Sequence, residues 1–224
     1  MLYSSPVDIT YLGHSGFKLR GKGASVVTDP YGSEIGFAFP QVSADIVTVS
    51  HSHSDHAAAA KVSGTSRRPQ PFVITAPGEY EILGVSVRAI PVFHDDRQGK
   101  LRGKNLIMII TIDGVHLVHL GDLGHSLTEA QVEDLGPVDV LMVPVGGVFT
   151  IDPQAAASVV ENLDPSIVIP MHFRTEKHSA TFKDLSPLAD FLKQMGIESR
   201  DPQEKLTVTA GNLPEETEVV VLKS

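Results

Sequence analysis

Three imidazoles and one carboxylate fall within a six-residue segment, at His51, His53, Asp55 and His56. Neutral imidazole and carboxylate groups are ligands that suit zinc, manganese or iron, and a catalytic metal site keeps one position open for water. An apolar run at residues 46–49 stands just before them and predicts a β-strand. Because side chains alternate along an extended chain, His51 and His53 are expected on one face, with the other two residues beyond the strand end. This geometry allows one turn to serve two neighbouring metal ions.

Three further residues with suitable ligand groups occur downstream, each after an apolar run typical of a β-strand. They are His94, Asp122 and His172. Ligands at strand ends are held by a rigid scaffold, as a metal site requires. Their presence argues against the alternative interpretation, in which residues 51–56 form a polar loop that is rich in histidine but binds nothing.

The order of these residues, His-x-His-x-Asp-His followed by a separate His, an Asp and a last His, resembles the signature of the metallo-β-lactamase superfamily. The resemblance implies an α/β (α+β) fold, a four-layer αββα sandwich with two mixed β-sheets inside and helices outside. Within the superfamily, the sequence is most similar to short, mostly uncharacterised metal-dependent hydrolases related to L-ascorbate-6-phosphate lactonase. The implied ligands are His51, His53 and His94 for a first metal ion, Asp55, His56 and His172 for a second, and Asp122 as the bridge between them.

Other segments extend this similarity over most of the chain. Residues 28–30 resemble an early Asp motif of the superfamily, residues 11–17 its first hairpin, and residues 77–81 a feature of one small subgroup. The resemblance implies that Asp29 is a buried anchor for the metal loop, and the alternative is a turn carboxylate that bonds nearby amides. His14, in the first hairpin, is either a structural histidine that bonds backbone or a contact to the active site.

The composition is that of an ordinary globular protein, with 224 residues, 42% hydrophobic and 20% charged. No stretch has the composition of a linker, so we expect a single domain over residues 1–224. Residues 1–6 lack a basic stretch followed by an apolar run, and no apolar run approaches bilayer length, so we expect a soluble, cytoplasmic protein without a membrane partner. With no cysteine, the chain has neither a disulfide nor a thiolate ligand, and its metal ligands must be nitrogen and oxygen.

The formal charge of −9 makes a nucleic acid an unfavourable partner, because a long polyanion meets net repulsion away from the site. A small-molecule substrate is therefore expected. The sequence gives no indication of oligomeric state.

Local patterns predict the elements that position these residues. A β-meander is predicted at residues 7–11, 16–19 and 24–27, and a hairpin joins residues 106–110 to 115–118 across Asp113 and Gly114. Residues 78–81 are expected to turn into the strand that leads to His94. Helices are predicted at residues 57–62, from their alanine content, and at residues 128–133, from 152 onward and at 185–195.

Three residues in loops near the predicted ligands are candidate contacts for an anionic substrate. They are Arg102, after His94, and Arg174 and His178, after His172. Arginine presents paired donors to carboxylate or phosphate, although an ordinary solvated loop explains each residue as well. His125 is an open candidate for the leaving-group proton donor, together with Asp55 and His178.

Hydrolysis is the chemistry that this residue set predicts. Two divalent ions, zinc in first place with manganese or iron as alternatives, can share a hydroxide, because metal binding brings the pKa of water to about 7. The bridging hydroxide would attack a small anionic ester, lactone or phosphodiester, with Asp55 and Asp122 as catalytic residues. The alternative is a non-enzymatic ligand-binding or sensing protein that uses the metal for stability, and a redox di-iron site ranks third.

Overall fold

The structure is a computed structural model that describes residues 5–224. Residues 1–4, which belong to the N-terminal segment interpreted above, lie outside the described residues. In chain order the strands are β1 (Val7–Gly13), β2 (Gly16–Arg20), β3 (Ser25–Thr28), β4 (Val42–Ser43), β5 (Ile46–Thr48), β6 (Val62–Ser63), β7 (Phe72–Ile74), β8 (Gly78–Ile82), β9 (Val85–Phe93), β10 (Lys104–Ile112), β11 (Val115–His119), β12 (Val140–Pro144), β13 (Ile167–Met171), β14 (Leu206–Val208) and β15 (Glu218–Val219).

The strands form two large mixed sheets and one short pair. The first sheet has the order β14-β1-β2-β3-β5-β7, in which β1 to β3 are an antiparallel meander and β3, β5 and β7 are parallel. The second has the order β15-β13-β12-β11-β10-β9-β8, with an antiparallel half from β8 to β11 and a parallel half from β11 to β15. The predicted meander and the hairpin across Asp113 and Gly114 are confirmed.

The two sheets pack face to face around one apolar core. Along β1 the side chains of Val7, Ile9 and Tyr11 are buried and alternate with partly exposed residues, the period expected for a strand with one face inward. They share a cluster with Val87 of β9 and Ile110 of β10 in the other sheet. Burial of both inner faces therefore joins the two sheets, as the sandwich prediction requires.

Three α-helices lie outside the second sheet: α1 (Glu129–Leu135), α2 (Pro153–Leu163) and α3 (Leu188–Gln194). Thr128 and Gln131 form a capping box at the start of α1, and Asp152 accepts a hydrogen bond from the Ala155 N–H at the start of α2. Because β11, β12 and β13 are parallel neighbours, right-handed crossovers place α1 and α2 on one face. The third helix is shorter than predicted, since it begins after Pro187.

The predicted helix at residues 57–62 is wrong. The chain makes only a 3-10 turn at Ala59–Lys61 and then enters β6, which pairs with β4. The Ala58 N–H donates to Pro30 O at 2.7 Å, so tertiary contacts override a helix propensity that is weak over six residues. Within residues 5–224, the outer face of the first sheet is thus covered by loops, the β4–β6 pair and 3-10 turns.

The predicted turn at residues 78–81 is also wrong, because these residues belong to the edge strand β8 and pair with β9. The expected fold with two large mixed sheets is nevertheless confirmed, and within residues 5–224 the α-helices cover the outer face of the second sheet. No helix among residues 5–224 combines the length and the apolar character needed to cross a bilayer.

Candidate metal centre

The residues predicted as ligands lie in loops that follow strand ends. β5 precedes His51, β9 precedes His94, β11 precedes Asp122 and β13 precedes His172. β9 and β11 are each antiparallel to β10, and β13 runs parallel to β12 and β11. These three strands therefore end at the same edge of the second sheet, and their loops meet the loop after β5.

One carboxylate oxygen occupies the middle of the cluster. Asp122 Oδ2 lies 3.3 Å from Nε2 of His56 and of His94, 3.4 Å from Nε2 of His172 and 3.9 Å from Nε2 of His51. Ligands of a tetrahedral ion with bonds of about 2.0–2.1 Å are separated by about 3.3 Å. The spacing around Asp122 is thus that of groups that share bound cations.

Several ligand atoms of this cluster are buried without a hydrogen-bond partner among residues 5–224. They are Nε2 of His51, His56 and His172, and Oδ1 of Asp122. A buried polar atom left without a partner costs about 1–3 kcal/mol. Divalent cations would satisfy all of these atoms at once, so the residues present fit a metal centre.

The cluster divides into three overlapping groups whose ligand atoms lie within 4.8 Å of one another. The first contains the three histidines implied for the first ion, and the second contains the three residues implied for the second ion together with His14. The third joins the two, which matches a bridging role for Asp122. The groups are His51, His53 and His94; His14, Asp55, His56 and His172; and His51, His56 and Asp122.

The electrostatic field of the centre favours positive charge. Burial raises the pKa of Asp122, but His172 and His56 lower it more, so the carboxyl stays ionised with a pKa well below its usual value. Burial lowers the pKa of His56, yet the neighbouring carboxylates of Asp122, Asp29 and Asp55 raise it well above the usual value. Burial lowers the pKa of His51 to about 3, which keeps this imidazole in the neutral form that binds metals.

A second layer of polar groups orients these ligands. Asp29 is fully buried, and its carboxylate lies 2.9 Å from His56 Nδ1 and accepts hydrogen bonds from Ser50 N and Ser50 Oγ at 2.8 and 2.6 Å. Burial raises the pKa of Asp29, but the hydrogen bond from His56 outweighs it and lowers the pKa. Asp29 is therefore an anchor for the metal loop, as the resemblance implied, and His56 presents its Nε2 to the cluster.

The chain matches a family model described as the beta-lactamase superfamily domain over residues 8–172. A UPF0173 metal-dependent hydrolase of Thermococcus onnurineus is 31% identical over 192 residues, which cover 75% of this chain and 85% of that protein. The chain belongs to the metallo-β-lactamase superfamily.

Two solved structures extend this assignment. A Thermotoga maritima protein, proposed to be a Zn-dependent hydrolase of the metallo-β-lactamase superfamily, has a TM-score of 0.77 and 38% identity over 96% of this chain and 98% of its own. A metallo hydrolase of Ignicoccus hospitalis has a TM-score of 0.62 at 22% identity, over 92% of this chain and 98% of its own, and shows the shared fold alone. This superfamily member is therefore a metal-dependent hydrolase.

A cavity of about 420 Å³ opens above the cluster of this superfamily member. His53, Asp55, His94 and Asp122 line it on the metal side, and Glu34, Arg102, Phe149 and Phe182 line it elsewhere. The ring centroids of the two phenylalanines are 5.9 Å apart in an edge-to-face arrangement. Substrate access thus leads past an aromatic wall and one guanidinium group.

Arg102 is the one predicted substrate contact that lines this cavity. Its Nη2 donates to Val148 O at 3.0 Å, and its Cζ lies 5.6 Å from the ring centroid of Phe149. Its backbone N–H donates to the carboxylate of Asp95, which also accepts hydrogen bonds from the N–H groups of Arg97, Gly99 and Leu101. Sequence reasoning missed this anchor, although an aspartate before a glycine-containing loop is a recognisable signal.

The other candidates lie elsewhere. Arg174 is exposed and donates to Lys183 O at 3.3 Å, and it does not line the cavity. His178 packs behind the cluster, with its ring 5.6 Å from that of His14 and its Nδ1 3.0 Å from Thr175 N. His125 lines an adjacent cavity, and its Nδ1 lies 2.8 Å from Ser126 O. Their suggested roles in substrate binding and proton transfer remain predictions.

His14 is in contact with the site. Its Nε2 lies 3.3 Å from Asp55 Oδ2, and only 1% of the residue is exposed. Burial, and next the neighbouring His172, lower its pKa to about 3. His14 lies in the turn between β1 and β2, and a hydrogen bond from the His172 N–H to His14 O, at 2.8 Å, fixes this turn beside the cluster. Local sequence spacing cannot reveal a contact that the packing of two sheets creates.

Proposed function

We propose that this protein hydrolyses a small anionic ester, lactone or phosphodiester at a centre of two divalent metal ions. The observation that supports it most is the position of Asp122 Oδ2, which lies 3.3 to 3.9 Å from four imidazole nitrogens. An open cavity leads to this carboxylate. A catalytic metal centre needs such access for substrate and water, whereas a structural site is closed by its ligands.

The donor set decides which ions fit. Imidazole nitrogen and carboxylate oxygen suit Zn²⁺, our first choice, and also Mn²⁺ or iron. Bound here, the ions would polarise a carbonyl or phosphoryl oxygen and bring the pKa of water to about 7. The first ion would be held by His51, His53 and His94, the second by Asp55, His56 and His172, and both by Asp122.

The two carboxylates have different tasks in this proposal. Asp122 is fully ionised and at the centre of the imidazoles, so it holds the positive charges together. Asp55 lines the cavity, and although burial raises its pKa, the hydrogen bonds to His14 and His56 lower it far more. A carboxylate with so low a pKa is a weak base, so in this proposal Asp55 acts by holding the second ion at the cavity, and Asp55, His125 and His178 are the candidates for the leaving-group proton donor.

The rest of the cavity indicates the shape of the substrate. Arg102 supplies a positive charge to the lining of the cavity, which favours an anionic group next to Arg102. Phe149 and Phe182 supply an apolar surface beside it. A small molecule with a negative group and an apolar part close to the scissile bond fits these walls.

The test is a hydrolysis panel with protein stripped by chelator and reloaded with Zn²⁺ or Mn²⁺. The panel offers a phosphodiester, a lactone and a carboxylic ester, each with and without a second anionic group, and a thioester as an additional class. We expect metal-dependent turnover of one class, faster for the anionic member, and its loss in Asp122→Asn. His116→Asn, at an exposed histidine at the start of β11 and thus at the end away from Asp122, is the matched control and should retain turnover.

Each outcome of this panel has a clear meaning. Turnover that persists in Asp122→Asn would remove the metal centre from the mechanism. No turnover of any class by protein that holds its ions, as measured by elemental analysis, would favour the alternative of a metal-stabilised binding or sensing protein.

A further inference from the structure

His14 lies at the edge of the second group of ligands, outside the seven residues of the superfamily signature. Its Nε2 is 3.3 Å from Asp55 Oδ2, and His56 Nε2 is 3.5 Å from the same oxygen. These are the separations expected between neighbouring ligands of one ion, about 3.3 Å for bonds of about 2.0–2.1 Å. The ligand atoms of His14, Asp55, His56 and His172 all lie within 4.8 Å of one another.

We propose that His14 Nε2 is a further ligand of the second metal ion, beside Asp55, His56 and His172. The inference rests on the metal centre of the proposed function, and it adds a ligand that the superfamily signature lacks. A direct hydrogen bond from His14 to Asp55 is the competing explanation, in which His14 only positions the carboxylate.

The backbone is strained at His14, the residue that the proposal adds to the ligands. Its φ is 56°, in the left-handed region that residues other than glycine seldom adopt, and His172 has a φ of 54°. The Tyr11 hydroxyl and the His172 N–H both donate to His14 O, at 2.7 and 2.8 Å. Two imidazoles on strained, mutually bonded backbones, with ring centroids 4.2 Å apart, are positioned as a pair.

The hydrogen-bonding state of the rings supports the same role. His14 Nδ1 is buried without a partner among the described residues, and so are Nδ1 of His94 and of His172, which are implied ligands. His119, a buried histidine that belongs to none of the ligand groups, instead has contacts at both nitrogens, to Ser15 O and to Gly121 N. His14 therefore shares its hydrogen-bonding state with the implied ligands His94 and His172, whereas Nδ1 of His51 and of His56 contacts Ser50 and Asp29.

The consequence is a difference between the two ions. The first has three histidines and Asp122, the number of ligands that suits tetrahedral zinc. With His14, the second has three histidines, Asp55 and Asp122, five protein ligands in all, so a water molecule can bind there only at a coordination number above five. The second site should therefore favour Mn²⁺ or iron over Zn²⁺ more strongly than the first does.

The test compares wild type with His14→Asn, because asparagine accepts a left-handed backbone and removes the imidazole. Chelator-stripped proteins are titrated with Co²⁺, whose visible absorption is weak at high and strong at low coordination number. We expect the second equivalent to absorb weakly in wild type and more strongly in His14→Asn, with an affinity lower by a factor of about 100 or more in chelator competition. His116→Asn should leave the absorption and the affinity unchanged.

An unchanged spectrum of the second ion in His14→Asn, even with weaker binding, would assign His14 to positioning Asp55 and overturn the inference. A wild-type chain that binds fewer than two ions would instead contradict the proposed dinuclear centre. A crystal structure of metal-loaded wild type decides the point without any variant: His14 Nε2 at about 2.0–2.2 Å from the second ion supports ligation, and more than about 3 Å excludes it.

Discussion

The carboxylate of Asp29 and Nδ1 of His56 are 2.9 Å apart, and both side chains are completely buried. Because Asp29 is ionised and accepts this hydrogen bond, His56 is oriented with its Nε2 towards Asp122 and Asp55. The residue that fixes this ligand is thus 27 positions earlier in the chain, at the end of a neighbouring strand.

Asp29→Asn should weaken binding of the second ion by about 10–100-fold, the usual effect of removing a partner of a ligand. Asparagine has one oxygen, so it cannot accept the hydrogen bonds of His56, Ser50 N and Ser50 Oγ that both oxygens now share. Chelator competition measures the affinity. Asp139→Asn removes a carboxylate that, among residues 5–224, bonds only the His116 N–H, and it is the matched control; an equal effect there would refute the explanation.

Sequence reasoning selected residues that the structure brings together in one cluster, because the chemistry of the side chains is local and their order is distinctive. Sequence patterns also predicted four of the strands, because period-two alternation and the Asp113-Gly114 turn are local signals. These strands are β1, β2, β10 and β11. Each feature can be recognised without knowledge of what packs against it.

The features that sequence reasoning missed or left open all depend on contacts between distant segments. The chain at residues 57–62 is not helical because Ala58 bonds Pro30 and Val62 pairs with Val42. The same holds for the contact of His14 with Asp55, 41 residues apart, and for the position of Arg174 away from the cavity. Such contacts are decided by tertiary packing, which a propensity or a spacing does not contain.

Arg102→Ala should raise KM for an anionic substrate roughly 10-fold or more and change kcat less, because a hydrogen bond to a charged group contributes about 1.5–3 kcal/mol to binding. Asp95→Asn should act in the same direction, since it disturbs the four backbone hydrogen bonds that hold the Arg102 loop. Steady-state kinetics on the substrate that the panel identifies measures both constants.

The double variant decides whether Asp95 acts through Arg102. We expect Asp95→Asn to add little once Arg102 is alanine, because residues that act on one contact are not additive. Arg97→Ala, an exposed cation of the same loop, should leave KM unchanged. A full additional effect of Asp95→Asn in the double variant would show that Asp95 has a role of its own.

Gly121→Ala should destabilise the protein by about 1–3 kcal/mol and weaken metal binding, because overpacking displaces backbone. An added Cβ would clash with Asn105 Oδ1 and lie 2.6 Å from Ser50 Cβ, directly before the ligand Asp122. Urea unfolding with excess chelator measures the free energy of unfolding. Gly196 also has a positive φ, but no described residue lies within 4 Å of an added Cβ, so Gly196→Ala isolates the backbone strain and should leave metal binding unchanged.

Protonation of Asp45 should make the protein less stable in acid. This fully buried carboxylate accepts hydrogen bonds from Ser25 N, Ser25 Oγ, Thr65 Oγ1 and Arg67 Nη2. Burial raises its pKa, but these hydrogen bonds, with that of Thr65 the largest, lower it below the usual value. A folded-state pKa below the unfolded one gives stability that is present above the unfolded pKa, about 3.9, and is lost as the pH falls towards the folded pKa.

The free energy of unfolding of wild type, measured by urea titration with chelator present, should therefore decrease between about pH 5 and pH 3. Asp45→Asn should be less stable than wild type at pH 7 and have a flatter pH dependence, because its amide does not titrate. Asp96→Asn, at an exposed carboxylate, is the control and should keep the wild-type slope. If Asp45→Asn retains the full acid dependence of wild type, the loss of stability in acid must come from other carboxylates. The ionisation of Asp45 would then not contribute to the free energy of unfolding.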